Sequence, residues 1–152
     1  MISALDVLCI VIAVVLIALE SQRGILLAIV DLAGASVAVV VAGMLYRSLY
    51  GYAGSYSLGY LVVFAGIGVL AVGLAVYLSF RTKEYVRGWE SAVGAFIGLA
   101  SGVVVSYGIY TYTVMRYGAG SALLKNSLLA YQFDEHGVVY EMTQFVRTLM
   151  GR

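Results

Sequence analysis

The sequence predicts an all-α integral membrane fold, a four-helix bundle over residues 1–117 followed by an amphipathic interfacial helical tail over 118–152. Three observations carry this. Of the 152 residues 62% are hydrophobic and only 11% charged, well below the roughly 25% charged residues of soluble domains. Four strongly apolar runs are close to the length that crosses a hydrocarbon layer of ~30 Å at ~1.5 Å per helical residue. Small residues recur at helical spacing inside two of these runs, the pattern by which helices approach closely in lipid.

The first span is expected at about 2–19, with an uncharged core from Val7 to Leu19 ended by Glu20, Ser21, Gln22, Arg23 and Gly24. It has no basic leader and Asp6 is its only early charge, so it reads as a membrane span and not as a cleaved signal. The turn at Arg23 and Gly24 sends the chain straight into a second span at about 25–46, which predicts two antiparallel neighbours. That span holds one ionisable residue, Asp31, whose insertion costs ~2.5 to 3.5 kcal/mol. Its eleven Leu, Ile and Val residues offset this at ~0.3 to 0.6 kcal/mol each.

A Gly, Ser and Tyr stretch from Arg47 to about Ser57 leads to the third span, expected at about 58–80. Gly59, Gly66 and Gly73 recur along it every seven residues and predict close packing, with the fourth span as partner. The connection from Arg81 to Glu90 is the most charged segment. The fourth span, about 91–115, is uncharged from Ser91 to Met115. Ser91, Gly94, Gly98, Ser101, Val105 and Gly108 share one helical face, which is almost without side chains. Only another helix backbone fills so smooth a groove without leaving a void.

After Arg116 the chain loosens at Gly118 and Gly120, and a helix capped near Ser121 is expected through Phe133. Beyond Asp134, Val138, Met142, Phe145, Val146 and Leu149 repeat at helical spacing opposite a polar face. Such a helix lies flat on the membrane surface, or packs on the end of the bundle or on a second subunit.

Nine Lys and Arg against eight Asp and Glu supply no concentrated basic patch, which excludes nucleic acid as a partner. Arg23, Arg81, Lys83 and Arg87 lie on one side of the bundle, against Arg47, Arg116 and Lys125 on the other. This slight bias places both termini outside the cytoplasm. Tyr46, Tyr50, Tyr52, Tyr56, Tyr60, Tyr107, Tyr110, Tyr112 and Tyr117 are then expected to form a belt at the outer interface.

No set of catalytic groups emerges. Cys9 is isolated in an apolar run and reads as a packing residue. His136 has no second His or Cys to complete a metal shell, and Ser121 has no histidine within the spans to activate it. Neither a cofactor nor a metal is expected. Asp31 is the candidate intramembrane polar site: a proton or ion site, a polar hinge between subunits, or a carboxylate about two turns in that reaches a nearby Arg or an interfacial water.

The order of these features resembles the colicin V production protein (CvpA) family of small bacterial integral membrane proteins. The resemblance rests on Asp6 before the first span, Arg23 and Gly24 opening the second, and the ladder Gly94, Gly98 and Gly102 down the fourth. It continues into Asn126, Ser127, Leu128, Leu129, Ala130 and Tyr131 after the bundle. Family members often carry a basic residue just before the last glycine of the ladder and a proline in the post-bundle element. Here Ser101 stands at the first position and proline is absent.

The resemblance implies a multi-pass protein of the bacterial inner (cytoplasmic) membrane, linked to colicin or toxin export and to envelope homeostasis. With the small-residue faces, it leads to the expectation of a non-enzymatic scaffold or accessory protein. Such a protein contacts the lipid bilayer and acts as a homo-oligomer or on an envelope protein partner. The alternative is a small oligomeric channel or transporter that uses Asp31.

Overall fold

The computed structural model describes residues 3–81, 88–118 and 120–133. They form α1 (Ala4–Arg23), α2 (Ile25–Leu45), a short α3 (Tyr50–Ala53), α4 (Tyr56–Arg81), α5 (Gly88–Tyr117), α6 (Ala122–Lys125) and α7 (Leu128–Phe133). Among the described residues there is no strand, and α1, α2, α4 and α5 are long and apolar enough to cross a membrane. This is a multi-pass membrane protein.

The distribution of side chains fits lipid as the solvent. Large apolar groups point outward, Phe96 at 78% exposure and Leu70 at 73% among them, whereas the interior holds Ala28, Ala38, Ala42, Ala75 and Cys9. Leucines gain nothing by hiding from lipid, so close backbone approach and van der Waals contact hold the helices together.

The tightest contact is between α1 and α5, which run antiparallel. A Cβ on Gly94 would collide with the carbonyl of Glu20. One on Gly98 would lie 2.8 Å from the Leu16 carbonyl oxygen and 2.9 Å from the Ile17 Cα, and one on Gly102 would lie 2.9 Å from Ala13. Ser106 continues the line beside Cys9. The smooth face seen in the sequence thus takes the α1 backbone along nearly four turns. Ser91, at its start, is half-buried.

The remaining helices assemble around this pair. Helix α2 packs on both α4 and α5. Its Gly34 meets Ala71 of α4, and near its end the Tyr46 carbonyl would lie 3.0 Å from a Cβ on Gly59. Contacts between α4 and α5 are fewer; Phe64 lies over Gly108, where a Cβ would come within 2.6 Å of the ring. Of the four long helices α4 is the least buried and α5 the most.

Several expectations are corrected. The face of Gly59, Gly66 and Gly73 does not pack on the fourth span: among the described residues nothing lies within 4 Å of a Cβ built on Gly66 or Gly73. The groove of α5 is already filled by α1. Helix α4 instead docks through Phe64, Ala71 and Ala75, roughly half a turn around the helix from Gly66 and Gly73 at 3.6 residues per turn.

The short link likewise does not make α1 and α2 close neighbours. Their mutual contact is slight, because Gly24, at φ 86°, takes a backbone conformation that any other residue adopts only with strain. The two helices leave that single residue toward different partners. Helix α1 also runs past Leu19 to Arg23, since Glu20 points into protein and not into water.

Tyr60 leaves the expected belt, being fully buried and stacked on Phe64 at 5.9 Å between ring centroids. The single helix expected over Ser121 to Phe133 is broken at Asn126 and Ser127. The surface tail through Val138, Met142, Phe145, Val146 and Leu149, with His136, lies outside the described residues.

The clamp gives a direct test. Gly98→Leu is expected to lower stability by about 1–3 kcal/mol through overpacking, while Gly66→Leu costs nothing and gains up to about 1 kcal/mol of helix propensity. Reversible unfolding by sodium dodecyl sulfate in mixed micelles reads both, and equal losses would refute the pairing.

Candidate functional site

Two buried carboxylates on α1, Asp6 and Glu20, define the polar structure of the bundle. At its first turn the Ser3 side chain accepts from the Asp6 backbone N–H at 3.2 Å and Asp6 accepts from the Ser3 N–H at 2.9 Å, a reciprocal cap for the free N–H groups of a helix start. The same carboxylate, only 1% exposed, accepts from the Ser127 hydroxyl at 2.6 Å and from the Leu128 N–H at 3.1 Å. Ser127 in turn accepts from the Ala130 N–H at 3.0 Å.

This is why the post-bundle element breaks. Ser127 has to leave the helix to reach Asp6, and a new helix starts after it. Leu124 and Ala130 then close over Leu5 and Cys9, and Phe133 packs its ring against Tyr107 and Tyr110 at 5.4 and 5.5 Å. Asp6 is a structural lock between the chain's first helix and the segment after the bundle.

The other carboxylate lies at the far end of α1. Glu20 is 0% exposed, and neither of its carboxylate oxygens has a hydrogen-bond partner among the described residues. It lines a partly open cavity of about 470 Å³ with Arg23 from α1, Asp31, Ala35 and Ala38 from α2, Phe64, Gly68 and Val72 from α4, and Ser101 and Val105 from α5.

Asp31, the sequence candidate, is paired: Arg23 Nη1 donates to its Oδ2 at 3.3 Å. The pair is partly buried, with 27% of the Arg23 side chain and 11% of the Asp31 side chain exposed. The Asp31 carboxyl also lies against that of Glu20, so the two acids are coupled directly through their side chains. Ser101, also at the cavity, donates to the Ile97 carbonyl at 3.1 Å. Two carboxylates thus lie near one guanidinium, which pairs with Asp31, in a chamber whose lining is otherwise mostly apolar.

Of the residues singled out from the sequence, the structure brings Arg23, Asp31 and Ser101 to this cavity, with Gly24 as the link that aims the first two. Gly94, Gly98 and Gly102 do not line it; they hold α1 against α5. Gly59 packs elsewhere, and Gly66 and Gly73 face outward. Sequence reasoning missed Glu20, because a charge at the end of an apolar run reads as its boundary. The signal was present: Glu20 continues the face of Cys9, Ala13 and Leu16 at helical spacing. Among the described residues no three His, Cys, Asp or Glu side chains gather as a metal site would require.

No family model matches the chain, and neither a curated protein nor a solved structure is found to be similar to it.

Each carboxylate has its own test. Asp6→Ala strands the Ser127 hydroxyl and the Leu128 N–H, which is expected to cost about 1–3 kcal/mol and to speed proteolysis within residues 118–133. Arg23→Ala leaves two carboxylates facing each other; the double variant Arg23→Ala/Asp31→Asn should recover at least half of that loss in the same unfolding assay. No recovery would mean that Arg23 stabilises the fold by packing alone.

Proposed function

We propose that the chain is a non-enzymatic accessory or scaffold protein of the bacterial inner membrane, assembling through α4 with a second copy or with an envelope protein. The observation that carries this is the outward face of α4. Glycine costs a helix about 1 kcal/mol relative to alanine, and a Cβ on Gly66 or Gly73 would meet nothing among the described residues. Elsewhere the same residue type is used for helix-on-helix contact along α5, so the free face of α4 suits a helix from another chain.

The resemblance to the colicin V production family, carried by Asp6, Arg23, Gly24 and the ladder Gly94, Gly98 and Gly102, supports a role in envelope homeostasis or toxin export. Both termini outside the cytoplasm agree with the slight excess of basic residues in the two connections on the other side, Arg23 after the first span and Arg81, Lys83 and Arg87 after the third.

Cysteine crosslinking in native membranes tests the assembly. In a Cys9→Ala background, Gly66→Cys and Gly73→Cys are expected to give dimers or a defined adduct, and Val14→Cys on the exposed face of α1 is not. Monomers alone at every position would overturn the proposal.

A second reading, a small oligomeric channel or transporter, is favoured by the cavity that Glu20 and Asp31 line together. It requires ion or proton flux in proteoliposomes that Asp31→Asn alters. Absence of flux, or flux indifferent to that substitution, would remove it.

A further inference from the structure

We infer that the cavity lined by α1, α2, α4 and α5 is a binding site for an organic monocation with an apolar body, such as an amine or quaternary ammonium compound, held at its charged end by the Glu20 carboxylate. Three observations converge on this class of ligand.

The first is charge. Glu20 and Asp31 contribute two carboxylates and Arg23 one guanidinium, and Arg23 is committed to Asp31 at 3.3 Å. Glu20, buried against the Asp31 carboxyl, has no hydrogen-bond donor on either oxygen among the described residues, so the cluster carries one carboxylate more than it has cations. A carboxylate in apolar surroundings needs a counter-charge or a proton, and one positive charge balances the cluster.

The second is the wall. Apart from that corner and Ser101, the lining is apolar, with Leu16, Leu19, Val69, Val72 and Val105 among its members. A bare metal cation needs about six oxygen ligands, more than Glu20, the free Asp31 oxygen and the Ser101 hydroxyl provide. A hydrocarbon body suits the same wall well.

The third is size: about 470 Å³ falls within the roughly 300–1,000 Å³ of small-molecule sites. The assignment deepens the reading of the cavity as a site and rests on binding alone, so it is independent of assembly through α4 and of transport.

The test is isothermal titration of the full-length protein in lipid nanodiscs with benzyltrimethylammonium, against empty nanodiscs and against its neutral isostere, 2,2-dimethylpropylbenzene. Saturable binding of one cation per chain is expected, with the isostere at least about tenfold weaker, the ratio a charged contact supports. Glu20→Gln should weaken the cation by a similar factor and leave the isostere unchanged, whereas Glu90→Gln, outside the cavity, should alter neither.

Equal binding of the two compounds to the unaltered protein, no binding of the cation, or binding indifferent to Glu20→Gln would each overturn the assignment. If the Gln variant does not fold, the comparison of cation and isostere on the unaltered protein decides alone. Binding without flux in proteoliposomes leaves the assignment standing and removes only the transporter reading.

Discussion

Helices surrounded by lipid gain little by turning leucines toward one another, so the contact on which this bundle depends is made of absence. Gly94, Gly98 and Gly102 remove side chains from one face of α5, and the backbone of α1 at Glu20, Leu16, Ile17 and Ala13 fills the space. Dispersion contacts between backbones at that range are individually tiny, yet they accumulate along nearly four turns. The register is tightly set, because a shift of α1 by one residue would bring side chains such as Val15 or Ile17 against a glycine sized for backbone.

Once α1 is committed to α5, the rest follows from the lengths of the links. One residue, Gly24, separates α1 from α2, but α2 finds its own small-residue contact with α4 through Gly34 and Ala71. The two partnerships pull α1 and α2 apart just beyond their shared turn. The opening between them is not closed by large side chains, since these point to lipid, and it becomes the cavity into which Glu20 and Asp31 are drawn. A chamber with polar groups at one end is therefore a by-product of clamping the helices in these pairs.

The long helices were legible in the sequence because apolar runs of membrane length have few other uses, and the α5 face was legible because six small or slender residues align at helical spacing. What periodicity does not reveal is the partner. The heptad of Gly59, Gly66 and Gly73 looked like the complement of α5, but a smooth face states only that something can approach it. Whether α1 or α4 does so is decided by the other contacts each makes, among them the Asp6 lock that ties the start of α1 to the far end of α5 through Ser127. Asp31 stood out because it lies inside an uncharged run. Glu20 did not, because it lies at the edge of one, although its place on the Cys9, Ala13 and Leu16 face already pointed it inward.

The same helix carries both buried carboxylates, and the contrast between them is instructive. Asp6 is buried with its oxygens filled by two backbone N–H groups and a hydroxyl, so its desolvation is offset by charge-assisted hydrogen bonds and its role is to hold two segments together. Glu20 is equally buried, and no hydrogen-bond donor lies within reach of either oxygen among the described residues. Stability alone would favour an apolar residue of similar volume at position 20, as it does at buried ion pairs that have been replaced by hydrocarbon. A carboxylate kept there, beside a cavity and an already paired Asp31, is better understood by what it can receive than by what it holds. This is the physical reason to look for the activity of the molecule at the α1–α2 turn.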